Sequence, residues 1–191
     1  NHDMGRFAGK LHLSDHNYSQ EQMIKRTLLA HAIMFFSRGV PVIYYGDEQG
    51  FVGDGGDQDA RQNMMPSLVK TYNDDDLLAT DSTTAESNFD KNHMFYQRFA
   101  RYAELYQQYP ALRKGQQSTL LAGDKPGIFA VKRTLTGQQG MTQTVVTVFN
   151  TSNVAVDVDR LSLAESATLI YSENNSTKSR LAGLSVNLYL L

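Results

Sequence analysis

Ser19-Gln20-Glu21-Gln22, continuing through Ile24, Leu28, Ala32 and Phe35-Phe36 to Gly39-Val40-Pro41-Val42-Ile43-Tyr44-Tyr45, carries the strongest secondary-structure signal in the chain. Ser19 with Gln22 three positions on predicts a capping box, in which each side chain satisfies an orphan backbone N–H of the other. Ile24, Leu28, Ala32 and Phe35/Phe36 then recur at helical spacing, so a helix over 19–38 carries one buried stripe. Gly39 supplies a left-handed stop. The run Val40–Tyr45 is short, apolar throughout and rich in β-branched and aromatic side chains. Unbroken apolarity suits a strand covered on both faces of a parallel sheet. Helix, glycine and buried strand together form the αβ half of an α/β repeat.

Outward from that unit, the chain from Gly46 to about Asn88 is polar and irregular, with Gly53-Asp54-Gly55-Gly56 and Asp74-Asp75-Asp76. A loop of that length inside a domain is functional or disordered. A second helix follows and runs to Tyr109, with Pro110 as its stop. Phe95, Phe99, Tyr102, Tyr106 and Tyr109 share one face of it, and this stripe reads as core packing rather than a sugar platform. After Gly115 the pattern changes to short β-rich segments, Ile128–Thr134, Thr144–Phe149, Val154–Val158, Thr168–Tyr171 and Leu184–Leu190. Gly, Asn, Asp and Ser separate them, as in an antiparallel sandwich. The boundary is placed near Gly115, dividing the chain into 1–115 and 116–191.

The 191 residues carry 18 basic and 20 acidic side chains and a net charge of -2. No basic face is available to displace phosphate counterions, which argues against a nucleic-acid partner. There is no cysteine, which removes disulfides, thiolate metal sites and cysteine nucleophiles. No apolar run approaches the roughly 20 residues that span a bilayer, so no membrane segment is expected. The chain opens on Asn1-His2-Asp3 without a methionine, from which the natural amino terminus is expected to lie upstream; export stays open.

Three stretches together resemble the α-amylase family of glycoside hydrolases. Asn1-His2-Asp3-Met4-Gly5-Arg6-Phe7 resembles the family's motif after the seventh barrel strand. Gly39 through Tyr45 with Gly46-Asp47-Glu48-Gln49-Gly50 resembles the eighth strand and its loop, and Tyr109-Pro110-Ala111-Leu112-Arg113-Lys114-Gly115 the end of the last barrel helix. The resemblance implies the last part of a (β/α)8 TIM barrel, followed by an antiparallel β-sandwich domain. A barrel takes about 250 residues, so an amino-terminal barrel segment is expected before Asn1 as a missing partner of this piece. The implied substrate is an α-glucan or malto-oligosaccharide.

Retaining glycosidases need a carboxylate nucleophile and a carboxylic acid. By resemblance both lie upstream, and this chain contributes the third carboxylate, Asp3, as its catalytic residue. Hydrogen bonds to an ionised carboxylate strengthen as the sugar ring gains positive charge, which is how Asp3 would stabilise the transition state. His2 by resemblance donates to the same ring. Asp47 and Glu48 follow the eighth strand, where one would line the sugar cleft or serve as an N-cap or loop ion pair. Arg61 either meets substrate or supports its loop, and Arg6 either pairs with a carboxylate near the site or braces the loop, bracing being favoured. Asp54, Asp57 and Asp59 lack the alternating ligands and distal glutamate of an EF-hand and read as a solvated acidic loop. No cofactor or metal is expected in this piece, although calcium is compatible with the larger protein. His12, His16, His31 and His93 fit no metal-binding pair, and His31 lies on the buried side of its helix.

The expected activity is retaining hydrolysis of α-1,4-glucosidic bonds by the intact protein, the isolated piece being inert. Transfer of the glucosyl unit or isomerisation of the linkage would use the same motifs. A non-catalytic barrel scaffold would have no need of His2 and Asp3. The β segments could also form a glucan-binding module, but tryptophan is absent and no exposed aromatic row is evident.

Overall fold

The computed structural model describes residues 4–137, 140–163 and 165–191. They form two compact units, one made of the residues up to Leu28 with Val42–Arg101, the other of Leu29–Pro41 with Tyr102–Leu191.

The first unit begins with α1 (Phe7–His12) and the start of α2 (Gln20–Phe36). The capping box forms as expected: Ser19 N donates to Gln22 Oε1 at 3.1 Å and Gln22 N to Ser19 Oγ at 3.3 Å. Along α2 the buried residues are Met23, Thr27, Leu28, Leu29, His31, Ala32, Phe35 and Phe36, while Ile24 is only half-buried. The helix ends at Phe36, and Gly39 has φ +143°.

Val40–Tyr45 is not a strand. A doubly covered strand needs a hydrogen-bonded neighbour on each side, and the strands among the described residues all lie within 116–190 and pair with one another. The run therefore stays without a strand partner among the described residues, with Val40 84% and Val42 71% exposed.

The long irregular stretch is ordered by buried polar contacts. Gln49, nearly fully buried, receives the Asp90 N–H at 3.1 Å and donates to the Asp90 carbonyl at 3.0 Å. Gly50 adopts φ +74°, and a Cβ there would sit 2.2 Å from the Leu78 carbonyl oxygen, so only glycine fits. Leu78 N returns a bond to Gly50 O at 2.8 Å. Further along, α3 (Lys70–Asn73) is a single turn. His93 precedes α4 (Met94–Gln108) and caps it: the Phe95 N–H donates to Nδ1 at 3.2 Å, leaving Nε2 as the donor to Leu78 O at 3.1 Å. Burial holds the His93 imidazole below its ordinary pKa.

In the second unit, α5 (Pro110–Lys114) leads into β1 (Gln116–Leu121), β2 (Ile128–Thr136), β3 (Thr142–Asn150), β4 (Val156–Asp157), β5 (Thr168–Ser172), β6 (Arg180–Leu181) and β7 (Ser185–Leu190). Five of these make one antiparallel sheet in the order β1-β2-β3-β7-β5, and β4 pairs with β6 as a separate ribbon. The expected second layer of the sandwich is thus this two-stranded ribbon. Ile128, Ala130, Val146, Val148 and Tyr189 on one sheet face pack with Val158 and Leu181 into a hydrophobic core. Alternation puts Val131, Val145 and Leu188 on the opposite face, also buried. Here α5 packs on β2 and β3, and the buried Arg133 donates from Nε and Nη2 to the Gly115 carbonyl at 3.2 and 3.0 Å. The aromatic stripe of α4 behaves as core on its second-unit half. Tyr102 lies 5.3 Å from Phe36 and 6.0 Å from Tyr171, and both tyrosine hydroxyls donate to the buried Glu173.

Candidate active site

His2 and Asp3 lie outside the described residues; what the structure defines is the ground immediately after them. Gly5 and Arg6 lead into α1, whose Gly9 sits directly on the loop after Tyr45. A Cβ at Gly9 would stand 2.6 Å from Val52 O and 2.7 Å from Gly53 O. The segment after Asn1-His2-Asp3 and the loop after Tyr45 therefore meet backbone to backbone. Gly53, with φ +63°, repeats the close approach on its other side, where a Cβ would lie 2.7 Å from Ala60 Cα. That contact seats the 3₁₀ turn Asp59–Arg61.

Arg6 is the charge at the centre of this arrangement. Its side chain is fully buried, and Nη1 donates to the Tyr45 carbonyl at 2.8 Å and to Asp47 Oδ1 at 2.7 Å. The guanidinium carbon lies 4.6 Å from the Tyr44 ring centre, 5.3 Å from Phe51 and 5.5 Å from Tyr45. The positive charge thus rests on electron-rich ring faces. Burial, with Tyr44 close by, pushes the Tyr45 hydroxyl above its ordinary pKa. Asp47, expected at the sugar cleft or in a loop ion pair, has its carboxylate in the ion pair with Arg6. Glu48 Oε2 is buried with no partner among the described residues. Tyr44 and Tyr45 wall the arginine, Tyr44 half-buried and Tyr45 exposed.

Arg61 lies at the end of its 3₁₀ turn, half-exposed, with Nη2 3.1 Å from Asp57 Oδ2. Asp59 leans over Gly55, where any Cβ would overlap its Oδ2. Among the described residues no three His, Asp or Glu side chains gather as metal ligands, and no helix is long and apolar enough to cross a membrane.

Asp75 was unmarked in the sequence beyond its acidic run, yet it ties the loop together. It is buried, and its Oδ2 accepts from Gly53 N at 2.9 Å and from Gln62 Nε2 at 2.8 Å. Burial first, then the charge of Asp54, raise its carboxyl to about 6. Gly9, Gln49 and His93 were likewise invisible as loop supports, because each acts through a partner far away in sequence.

Residues 1–120 match the family model described as alpha amylase, catalytic domain. The chain belongs to the α-amylase family. It is 47% identical over 134 residues to an alpha-amylase of Streptomyces lividans, covering 70% of this chain and 15% of that protein. It is 29% identical over 145 residues to a beta/alpha-amylase of Paenibacillus polymyxa, covering 74% of this chain and 9% of the relative. Among solved structures, the pullulanase of Anoxybacillus sp. LM18-11, crystallised with maltotetraose, superposes with a TM-score of 0.65 at 15% identity. That match covers 99% of this chain and 26% of the pullulanase, so it carries the fold alone. The chain spans less than a third of each of these three proteins. Within the α-amylase family, then, the chain has the fold of the last part of a TIM barrel followed by an antiparallel β domain.

Proposed function

We propose that the protein carrying this chain is a retaining α-glucan hydrolase acting on α-1,4-glucosidic bonds, and that Asp3 stabilises its transition state. The observation that supports this best is the Arg6–Asp47 ion pair. It joins the segment just after Asn1-His2-Asp3 to the loop just after Tyr45, and loops that follow barrel strands are where a TIM barrel carries its chemistry. On this reading His2 donates to the sugar ring, and the nucleophile and general acid are supplied from earlier barrel strands. Asp47 is held by Arg6 at the rim of the cleft, and Arg61 contacts substrate from the neighbouring turn. Val40–Tyr45 pairs as the eighth strand in the intact barrel, which ends near Gly115, and residues 116–191 form the β domain that supports it.

Asp3 accelerates the reaction only so far as its bonds to the sugar tighten when the ring flattens and gains charge. The test is to express the full-length gene product and separate its products from starch, maltotetraose and sucrose, with anomeric configuration followed by NMR. Malto-oligosaccharides released with retained configuration support the reading. Products with inverted configuration, or no action on any glucan, defeat it.

A further inference from the structure

The reading of this face as catalytic leaves half of the Arg6 guanidinium without a task. Nη1 spends both hydrogens on Tyr45 O and Asp47 Oδ1. Nε and Nη2 are out of reach of solvent and have no partner among the described residues. Those two nitrogens present parallel N–H bonds along one edge of the planar group, the spacing that matches the two oxygens of a single carboxylate. Lysine offers no such edge. Buried charged donors left unmet are costly, and the rings of Tyr44, Tyr45 and Phe51 hold the plane so that the fork cannot swing out to water.

We infer that Arg6 is a positioning residue: Nη1 locks the loop after Tyr45 against the segment following Asp3, and the Nε/Nη2 fork grips one carboxylate of the active face. The inference rests on the hydrolase reading above. A carboxylate held side-on by a buried guanidinium stays ionised to lower pH than a free one. Arg6 therefore acts on the pH dependence of turnover and not only on folding. Asp47, Tyr44 and Tyr45 are the described titratable groups that face it, and Asp47 uses Nη1.

The experiment uses the full-length protein with Arg6→Lys and Arg6→Met, maltotetraose as substrate, and thermal melts to establish folding. The expected result is a kcat lowered on the order of 10- to 100-fold with KM changed less than about threefold. In Arg6→Met the acid limb of the pH–kcat profile moves up by about one unit. Arg6→Lys keeps the charge but not the fork, so it restores the acid limb in part and turnover poorly. A folded variant with an unmoved acid limb and wild-type kcat overturns the inference. Failure of both variants to fold assigns Arg6 to architecture alone and overturns it as well. A wild type without α-glucan activity removes the hydrolase reading beneath it, whereas an active wild type with unmoved variants removes the Arg6 inference by itself.

Discussion

The sheet of residues 116–190 and the run of residues 40–45 are both apolar and extended in sequence, yet only one became a sheet. Strands β2, β3 and β7 find their neighbours within the same short length of chain, and Val145, Val146, Val148 and Leu188 are fully buried as a result. Val40 and Val42 have no strand beside them among the described residues and stand open to solvent. Apolar β-branched residues thus specify a willingness to be covered, while the hydrogen-bonded neighbour decides whether they are. An antiparallel neighbour can lie within one short domain, a turn away for β2 and β3 and farther along for β3 and β7; a strand of parallel type depends on a partner reached by a crossover.

The largest expected effect separates the two regions by chemistry. Asp3→Asn in the full-length protein should lower kcat on the order of 10²–10³-fold with KM little changed, measured by initial rates on maltotetraose. The isolated 191 residues should release no sugar from starch, and measurable release by a pure sample would break the division of labour.

Next comes stability. Leu188→Ala opens a cavity in a fully packed face and should cost about 2–5 kcal/mol by denaturant unfolding. Val42→Ala in the isolated chain should stay within about 0.5 kcal/mol. In the full-length protein, where Val42 is proposed to sit in a strand, the same substitution should cost measurably more. Equal effects in the two contexts would erase the contrast.

Gly50→Ala should loosen the loop by roughly 1–3 kcal/mol, since the residue sits at φ +74° against the Leu78 carbonyl. Faster amide exchange confined to residues around 49–53 and 78 would register it.

The smallest effects depend on pH. Asp75 titrates near 6 in the fold, above the roughly 3.9 of an unfolded aspartate. Its protonated form thus favours the native state: the contribution is full below about 4 and is lost as pH rises through 6. Asp75→Asn keeps an oxygen for the Gly53 and Gln62 donors without the charge, so it should raise stability at pH 8 relative to pH 4. His93 runs the other way. Its folded pKa is lowered, so the stability it lends is complete above the ordinary value of about 6.5 and declines as pH falls below it. Melts of His93→Asn should be flatter between pH 7 and 5.

What could be read in the sequence follows the range of each interaction. The Ser19–Gln22 box was legible because both partners sit on one turn. Strands β2, β3 and β7 were legible because segments rich in β-branched, aromatic and leucine side chains are separated by turn residues. Strand β1 was not: Gln116, Ser118 and Thr119 form an edge with one neighbour and little burial, which leaves no apolar signature. The family was legible in its motifs, but the contacts around Arg6 and its loop were not. Arg6 could be read only as one of two roles, and its tie to Asp47 spans 41 residues. The Asp75 bonds to Gly53 and Gln62, and the Gln49 clasp on Asp90, likewise exist only once the loop has closed.

The two rims of the large sheet share a habit. Strand β1 is mostly polar and exposed, and both it and β5 break register against their partners, between Thr119 and Leu121 and between Leu169 and Tyr171. Kinked borders, the β1 one polar as well, give an incoming chain poor purchase for zipping on. Self-association of the isolated 191 residues should therefore start at the bare valines and at Leu68, 98% exposed, so charged replacements at Val42 and Leu68 are the route to a better-behaved sample of this piece, with the sheet left untouched.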